Sequence, residues 1–285
     1  MHPRRRSLDA APADGPARAP LRWPLEALWA RLEPLRAGLS VELLHETDST
    51  NTRLLERARA GDAAPCLLVA ERQTAGRGRL GRPWFDTSGV DGANAEPGTL
   101  CFSLGLTFAP RDWSGLSLAV GVALAEALHP RVHLKWPNDL WLLDADGRGR
   151  KLGGVLVETL PLADGGRHAV IGVGLNLLPP APRPGLDQPT AHWREIEPRA
   201  RVPELLERVA APLLLALATF EREGFAGFAA RYAARDALAG RRIETGAPEA
   251  ARGQADGVES DGALRVLTDG GLVQVRSGEV SVRPC

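Results

Sequence analysis

The sequence predicts an α+β fold, with helices and a hairpin-rich sheet followed by a small C-terminal β unit. Helical and strand-like segments alternate without a strict β-α-β repeat over most of the chain. Four strand candidates follow one another between residues 133 and 175, which favours hairpins. From residue 240 onward the chain consists of short strand-like runs between turns, which favours a separate β unit.

Length and composition limit the function classes. The 285 residues suffice for a medium catalytic domain and a small second domain. Since 35 basic residues balance 35 acidic ones, nucleic acid is not expected as a bulk partner. No apolar run approaches the roughly 20 residues that cross a bilayer, and residues 1–20 lack a secretory core, so we expect a cytoplasmic protein without membrane contact. Cys66, Cys101 and Cys285 lack metal-ligand spacing and are odd in number, which favours reduced thiols.

The N-terminal part predicts a tail and one short helix before the main sheet. Residues 1–21 are rich in Pro, Ala and Arg without periodicity and are predicted to be disordered. A helix is predicted over residues 24–39, interrupted by Pro34. It is too short for a DNA-binding helix-turn-helix, which needs two or three helices. A strand over 41–45 then precedes a helix over 52–60.

The remaining elements of the larger domain follow the same patterns. Its further strands are short apolar runs at residues 66–71, 100–108, 133–136, 139–143, 151–160 and 168–175. Its further helices are predicted at residues 116–128, which we expect to be buried, and at 203–223 and 225–236. Beyond a boundary near residue 238, a small barrel is predicted from strands at 241–245, 252–258, 263–268, 272–275 and 280–283.

Lysine is nearly absent from the chain. Lys135 and Lys151 are the only lysines, so arginine carries the other positive charges. Coding bias in a GC-rich genome explains arginine wherever a generic charge suffices. Positions that keep lysine therefore indicate a need for a compact ammonium with three rotatable donors.

Residues 76–84, with the sequence GRGRLGRPW, form a Gly-Arg loop. They contain a Gly-x-Gly-x-x-Gly pattern, but Pro83 and its successors continue as extended chain, whereas a dinucleotide fingerprint opens a helix. Glycines let the backbone fold over a ligand, and the interleaved arginines supply forked donors for carboxylate and phosphate oxygens. A solvated loop is the alternative.

Three further motifs place polar groups at strand ends. Residues 135–139, KWPND, offer a lysine for a nucleotide phosphate and Asp139 to hold Mg²⁺ or to orient the lysine, with a plain turn as the alternative. Residues 151–158, KLGGVLVE, put a glycine pair in a strand, which indicates either a close ligand or a β-bulge. Residues 171–176, IGVGLN, suggest the floor of a narrow cleft with Asn176 at its end.

The order of these motifs, together with Ser49-Thr50-Asn51 and Gln73, closely resembles the biotin-protein ligase family over residues 25–284. The resemblance implies the monofunctional form, without an N-terminal DNA-binding domain. It also implies a catalytic domain at residues 22–237, with a mixed sheet and flanking helices related to class II aminoacyl-tRNA synthetases, and a small SH3-like β-barrel domain at 238–285.

The resemblance further implies site residues. Catalytic roles fall to Lys151, Arg79 and Arg77. Biotin binding is expected from these three and from Ser49, Thr50, Asn51, Gln73, Gly76, Gly78, Trp84, Gly154 and Gly174. ATP binding is expected from Arg82, Lys135, Asn138, Asp139 and Asn176, and no metal ligand is assigned. Leu80 occupies a position where many relatives carry a basic residue, so one phosphate or acceptor contact is in doubt.

The implied reaction consumes biotin and ATP, with Mg²⁺, to form biotinyl-AMP, and then transfers biotin to a lysine of a biotin carboxyl carrier protein. The enzyme is expected to be a monomer or weak homodimer. Two alternatives stay open: a lipoate- or octanoate-transferring relative on the same fold, and a biotin-sensing transcriptional repressor.

Overall fold

The computed structural model describes residues 21–85, 96–163, 165–180, 188–276 and 282–284. Cys285, residues 86–95 and the predicted tail, except Leu21, lie outside this part of the chain.

The larger unit is built on a seven-stranded mixed sheet. Its strands are β1 Ser40–Thr47, β2 Cys66–Gln73, β3 Thr99–Thr107, β4 Val132–Lys135, β5 Asp139–Leu143, β6 Gly149–Pro161 and β7 Arg167–Asn176. Their order is β1-β2-β3-β7-β6-β5-β4. Only β1 and β2 pair in parallel, and the other neighbours are antiparallel. The predicted mixed sheet and its hairpins are therefore confirmed.

The helices of this unit are α1 Leu25–Leu32, α2 Thr50–Arg59, α3 Leu116–Leu128, α4 Val202–Glu223 and α5 Ala229–Ala233. Helix α3 is apolar around its circumference because it packs between the sheet and α4. Its Gly121 faces the Leu134 side chain of β4, and a Cβ there would lie 3.1 Å from that side chain. No described helix is long and apolar enough to span a membrane.

Two helix predictions were too long. Helix α1 ends at Leu32, and a 3₁₀ turn, Glu33–Leu35, contains the Pro34 that was expected to interrupt it. The helix predicted over residues 225–236 is only a 3₁₀ turn, Gly224–Gly227, followed by α5. It stops early because the following chain pairs with β4, where the Ala237 amide donates to the Leu134 carbonyl over 2.8 Å.

The C-terminal unit is an antiparallel sheet of β8 Arg242–Thr245, β9 Arg252–Val258, β10 Leu264–Thr268, β11 Gly271–Val275 and β12 Val282–Pro284. Its order is β11-β10-β9-β8-β12, so β11 and β12 are its edges. The strands predicted at 241–245, 252–258, 263–268 and 272–275 are confirmed, while residues 280 and 281 of the strand predicted at 280–283 lie outside the described residues. The strands within the described ranges do not close into the predicted barrel.

The C-terminal sheet is fixed to the larger unit beside the KWPND turn. The buried Trp136 indole donates to the Gly262 carbonyl over 3.0 Å. Gly262 has φ +81°, and a Cβ there would lie 2.8 Å from the Gly115 Cα, so the two backbones meet closely. Arg241 also donates to the Gly147 carbonyl over 2.7 Å. These contacts place residues of β12 at the cleft described next.

Candidate functional site

A cavity of about 870 Å³ opens on the sheet between the start of α2, the Gly-Arg loop and β5 to β7. It collects nearly all the predicted site residues: Ser49, Thr50, Asn51, Gln73, Arg77, Gly78, Arg79, Arg82, Trp84, Lys135, Asn138, Asp139, Lys151, Gly154, Gly174 and Asn176. The remaining one, Gly76, is buried behind the loop, where its carbonyl accepts from the Trp84 amide over 2.8 Å.

One end of the cavity is formed by the first turn of α2. Ser49 caps this helix by accepting from the Thr52 amide. The amide and hydroxyl of Thr50 both donate to Gln73 Oε1, over 2.8 and 3.1 Å. The parallel pairing of Thr47 with Gln73 brings these two segments together. The amide group of Gln73 is thereby held in one orientation.

Asn51, at the same end, is fixed on both sides of its amide. Its Oδ1 lies 2.6 Å from the Ser103 hydroxyl, and its Nδ2 donates to Glu158 Oε2 over 2.9 Å. Gly172 makes room for it, since a Cβ there would lie 2.2 Å from Asn51 Oδ1. Only 3% of Asn51 is exposed, so this end of the cavity is a buried polar pocket with preset donors and acceptors.

The Gly-Arg loop folds back on itself over the cavity. The Gly78 amide donates to the Arg82 carbonyl over 2.7 Å, and Arg77 pairs with Pro83. A 3₁₀ turn, Arg79–Gly81, forms its tip, where Leu80 has φ 58° and is 48% exposed. A leucine in the left-handed region is strained, which indicates that the flanking contacts hold the turn.

The loop arginines contact strand β6 and the turn between β4 and β5. Arg77 Nη2 lies 2.7 Å from both carboxylate oxygens of Glu158 on β6. Arg79 donates to Asn138 Oδ1 over 3.4 Å, and the Asn138 amide in turn donates to the Val155 carbonyl. Burial lowers the pKa of the Arg79 guanidinium. It still carries its charge at neutral pH, because arginine ionises far above that range.

The chain's two lysines meet on one carboxylate. Lys151 Nζ lies 2.7 Å from Asp139 Oδ1, and Lys135 Nζ lies 3.5 Å from Oδ2. Burial would raise the pKa of Asp139, but the two ammoniums reverse this effect and leave the pKa below its ordinary value. Burial lowers the pKa of Lys135, and Asp139 offsets part of that shift. Lys135 and Asp139 are buried and Lys151 is partly exposed, so the trio is a positively charged cluster that reaches the cavity.

Trp84 forms a wall of the cavity beside Lys151. Its ring centroid lies 5.6 Å from Lys151 Nζ. The ring also lies against Gly174, where a Cβ would approach the Trp84 Cε2 atom to 2.4 Å. Within the described residues its buried Nε1 has no hydrogen-bond partner. The glycine of β7 is therefore what lets the indole lie flat on the sheet.

The far end of the cavity is formed by segments that sequence reasoning missed. The Lys151 amide donates to the Pro189 carbonyl over 2.8 Å, so residues 188–191 extend the sheet beside β6. Asn176 holds this segment by donating to the Ala191 carbonyl over 3.1 Å. Arg241 and Arg283, from the C-terminal sheet, also line the cavity.

Ser103, Glu158 and Gly172 were missed as well. A signal existed for Ser103, since it is a polar residue inside the otherwise apolar strand β3. Glu158 closes the KLGGVLVE motif, but nothing in the sequence named its partners.

The comparisons with known proteins concern both units. Residues 43–176 match the biotin/lipoate A/B protein ligase family, and residues 242–283 match the biotin protein ligase C-terminal domain.

Among relatives, the bifunctional ligase/repressor BirA of Salmonella typhimurium is 35% identical, covering 86% of this chain and 74% of its own length. The biotin-[acetyl-CoA-carboxylase] ligase of Mycobacterium tuberculosis is 32% identical, covering 91% of this chain and 96% of its own length. Among solved structures, the Aquifex aeolicus biotin protein ligase in complex with biotin and ATP is similar, with a TM-score of 0.70, 28% identity and coverage of 86% of this chain and 99% of that one.

Proposed function

Because the chain belongs to the biotin-protein ligase family, we propose that its cleft activates biotin with ATP and passes it to a lysine of a biotin carboxyl carrier protein. ATP-dependent ligation of biotin is the activity of this family, and the chain is such a ligase. The acceptor, the roles of individual residues and a cytoplasmic location are the proposed parts. One observation carries the residue roles: the polar pocket around Asn51 and the Lys151 cluster lie in the same cavity.

In the first step, a carboxylate oxygen of biotin attacks the α-phosphorus of ATP and pyrophosphate leaves. We assign the ureido head of biotin to Ser49, Thr50, Asn51 and Gln73, whose groups are already oriented. Lys151 lies at the other end of the tail, where its ammonium offsets the repulsion between carboxylate and triphosphate. The enzyme supplies position and charge, and no covalent enzyme intermediate is required.

In the second step, the acceptor's neutral ε-amine attacks the acyl carbon of biotinyl-AMP. A C–N bond forms, the C–O bond to phosphate breaks, AMP leaves and the amine gives up a proton. The loop that carries Arg77 and Arg79 covers the mixed anhydride and excludes water. Gly154 lets the ligand lie against β6, whereas Gly174, predicted for the same role, is covered by the Trp84 indole and acts by making room for that ring.

Charged groups at the far end suit the nucleotide. We propose that Arg82, Lys135, Asn138, Asp139 and Asn176 form the ATP side, with Asp139 acting through the lysines that it orients. Arg241 and Arg283 add two guanidiniums there from the C-terminal sheet, which we propose is part of an SH3-like barrel. Forked guanidiniums match phosphate oxygens well.

Magnesium, in this proposal, arrives with ATP. Asp139, the candidate ligand, has both oxygens facing ammoniums at 2.7 and 3.5 Å, so it does not suit a divalent cation. The described ranges also contain no cluster of three or more His, Cys, Asp or Glu side chains. Phosphate oxygens of the nucleotide commonly hold Mg²⁺ without a dedicated protein cage.

The proposal is tested by biotin-dependent exchange of pyrophosphate into ATP. We expect exchange by the wild type, a loss of roughly a hundredfold or more in Lys151→Ala, since one electrostatic donor is typically worth that much, and no change in Arg222→Ala, a surface control on α4. Exchange that lipoate or octanoate supports better than biotin would overturn the assignment. Transfer to a purified biotin carboxyl carrier domain tests the acceptor.

A further inference from the structure

The carboxylate of Glu158 joins two parts of the cleft that the proposed mechanism treats separately. It accepts from Asn51 Nδ2, in the polar pocket, over 2.9 Å. Both of its oxygens also lie 2.7 Å from Arg77 Nη2, in the Gly-Arg loop. Asn51 and Arg77 are 26 positions apart in the sequence and belong to no common strand. The Glu158 side chain therefore connects the polar pocket with the Gly-Arg loop through noncovalent contacts.

The link belongs to a longer hydrogen-bonded chain. Gln73 accepts from Thr50, whose hydroxyl lies 2.7 Å from Ser103 Oγ. Ser103 lies 2.6 Å from Asn51 Oδ1, and Asn51 leads on to Glu158. Ser103 is fully buried, and a buried polar network is stable in one arrangement only when its members stay satisfied. A change at Gln73 or Asn51 therefore reaches the Glu158 carboxylate.

The Arg77 end of this chain is solvent-exposed. The Arg77 side chain is 43% exposed and that of Glu158 is 27% exposed, whereas Asn51 is 3% exposed. An exposed ion pair is individually weak and easily opened. The buried Asn51 contact holds Glu158 in place, so opening the pair frees Arg77 and loosens the loop, which Arg79 still ties to Asn138, without disturbing the pocket. Glu158 is therefore held firmly on its Asn51 side and only weakly on its Arg77 side, so that it can act as a latch for the loop.

We propose that Glu158 is a positioning residue that latches the Gly-Arg loop to the biotin head pocket through Arg77 and Asn51. The inference rests on the proposed function for its kinetic consequence. Its structural consequence, a loop held by Glu158, does not depend on any ligand. Occupation of the pocket orders Asn51 further, keeps Glu158 in place and so favours the closed loop over the acyl-adenylate.

Two variants separate the two contacts. Glu158→Gln keeps an oxygen for Asn51 but removes the charge that holds Arg77, whereas Glu158→Ala removes both contacts. Glu46→Gln is the matched control, because Glu46 pairs with Arg72 on β1 and β2 at 2.8 Å and does not line the cavity.

The first readout is brief trypsin treatment without ligands, with mapping of cuts after Arg77 and Arg79. Arg82 is followed by Pro83 and resists cleavage. We expect both Glu158 variants to be cut several-fold faster at the loop, with the wild-type rate in Glu46→Gln. Unchanged loop cleavage in both Glu158 variants would overturn the latch whether or not the enzyme ligates biotin.

The second readout is kinetic and uses the full chain. We expect Glu158→Gln to raise KM for biotin about threefold and Glu158→Ala about tenfold, in line with the loss of a weak pair and then of a charged hydrogen bond. KM for ATP and Tm should stay near wild type. AMP formation without acceptor, which reports hydrolysis of leaked adenylate, should rise several-fold in both.

A double-mutant cycle distinguishes a latch from a general structural role. In an Arg77→Ala background, Glu158→Gln should add no further loop cleavage or adenylate leakage. Equal effects of Glu158→Gln in both backgrounds, or equal increases in KM for biotin and ATP, would overturn the inference. Wild-type enzyme without biotin-dependent exchange would refute the proposed function, while the cleavage experiment would still decide the latch.

Discussion

Replacing Asp139 with asparagine should destabilise the fold more than any exposed charge change. The carboxylate lies between Lys135 and Lys151, at 3.5 and 2.7 Å. It is 7% exposed and Lys135 is 8% exposed, so solvent screens little of their interaction. An amide of the same shape accepts from one lysine but presents its NH₂ group to the other. The variant therefore leaves the buried Lys135 ammonium and the partly exposed Lys151 ammonium close together without a counter-charge.

The magnitude follows from the distances. Coulomb attraction at an effective dielectric constant of about 20 gives roughly 6 kcal/mol for the shorter contact and roughly 5 kcal/mol for the longer one. The cost of burying Asp139 cancels a large part of this sum. Removing one partner from a buried pair typically costs about 3–5 kcal/mol, and we expect a loss near 3 kcal/mol because Lys151 is a quarter exposed.

The effect should depend on pH in a defined direction. The two ammoniums hold the pKa of Asp139 below its usual value. Its contribution to stability is therefore fully present above about pH 3.9, the ordinary value for aspartate, and disappears as the pH falls through the lower folded pKa. The gap between wild type and Asp139→Asn should be constant from pH 5 to 7 and should narrow in strong acid, where the wild-type carboxyl is also neutral.

Urea unfolding followed by tryptophan fluorescence measures this gap. Asp256→Asn, which breaks the exposed Arg265–Asp256 pair, is the control and should cost less than about 1 kcal/mol. A loss below 1 kcal/mol for Asp139→Asn at pH 7, or a gap that widens in acid, would refute the reasoning.

Three further substitutions test the cleft. In Gly154→Ala the new Cβ lies no closer than 3.6 Å to any protein atom, so the Tm should not change. The KM for biotin should rise about tenfold or more, because the methyl group occupies space that the ligand needs. An unchanged KM would show that no ligand lies against Gly154. Gly174→Ala places a Cβ 2.4 Å from Trp84, so we expect a shifted Trp84 and a fall in both Tm and exchange activity; retention of both would contradict the packing. Leu80 has φ 58°, a left-handed conformation that costs a residue other than glycine about 1–2 kcal/mol. Leu80→Gly removes this strain, so the Tm measured by calorimetry should rise or hold. A clear fall in Tm would mean that the leucine side chain stabilises the loop.

Sequence reasoning found most elements because their signals are local. Helix α3, predicted over residues 116–128, has those bounds, since a segment apolar on every face can only be a buried helix. Helix α2, predicted over residues 52–60, begins two residues earlier at Thr50, and the strands β5 to β7 follow from turn residues between apolar runs. The expectation that Pro83 and its successors open no helix is confirmed for residues 83–85, whereas the fold-back of the Gly-Arg loop on itself was not predicted.

What escaped prediction depends on register between distant segments. Glu158 reaches Arg77 across 81 positions because β6 lies beside β7 and below the loop, which no local pattern states. Asp139 serves both lysines because β5 lies between β4 and β6. Arg283 arrives in the cleft through the attachment of the C-terminal sheet at Trp136, a contact between elements 126 positions apart.

The scarcity of lysine gains a physical meaning from this geometry. Both lysines point at one buried carboxylate, where two planar guanidiniums would need about ten donor bonds satisfied in a space that offers two oxygens. Compact ammoniums share those oxygens and leave Lys151 free to turn toward a ligand, with the Trp84 ring 5.6 Å away. Arginine, by contrast, is found in the loop and at β12, where Arg77 reaches both oxygens of Glu158 and where Arg82 and Arg283 are exposed. The choice between the two cations therefore follows the room available at each position, and Lys151→Arg should impair the site even though the charge is kept.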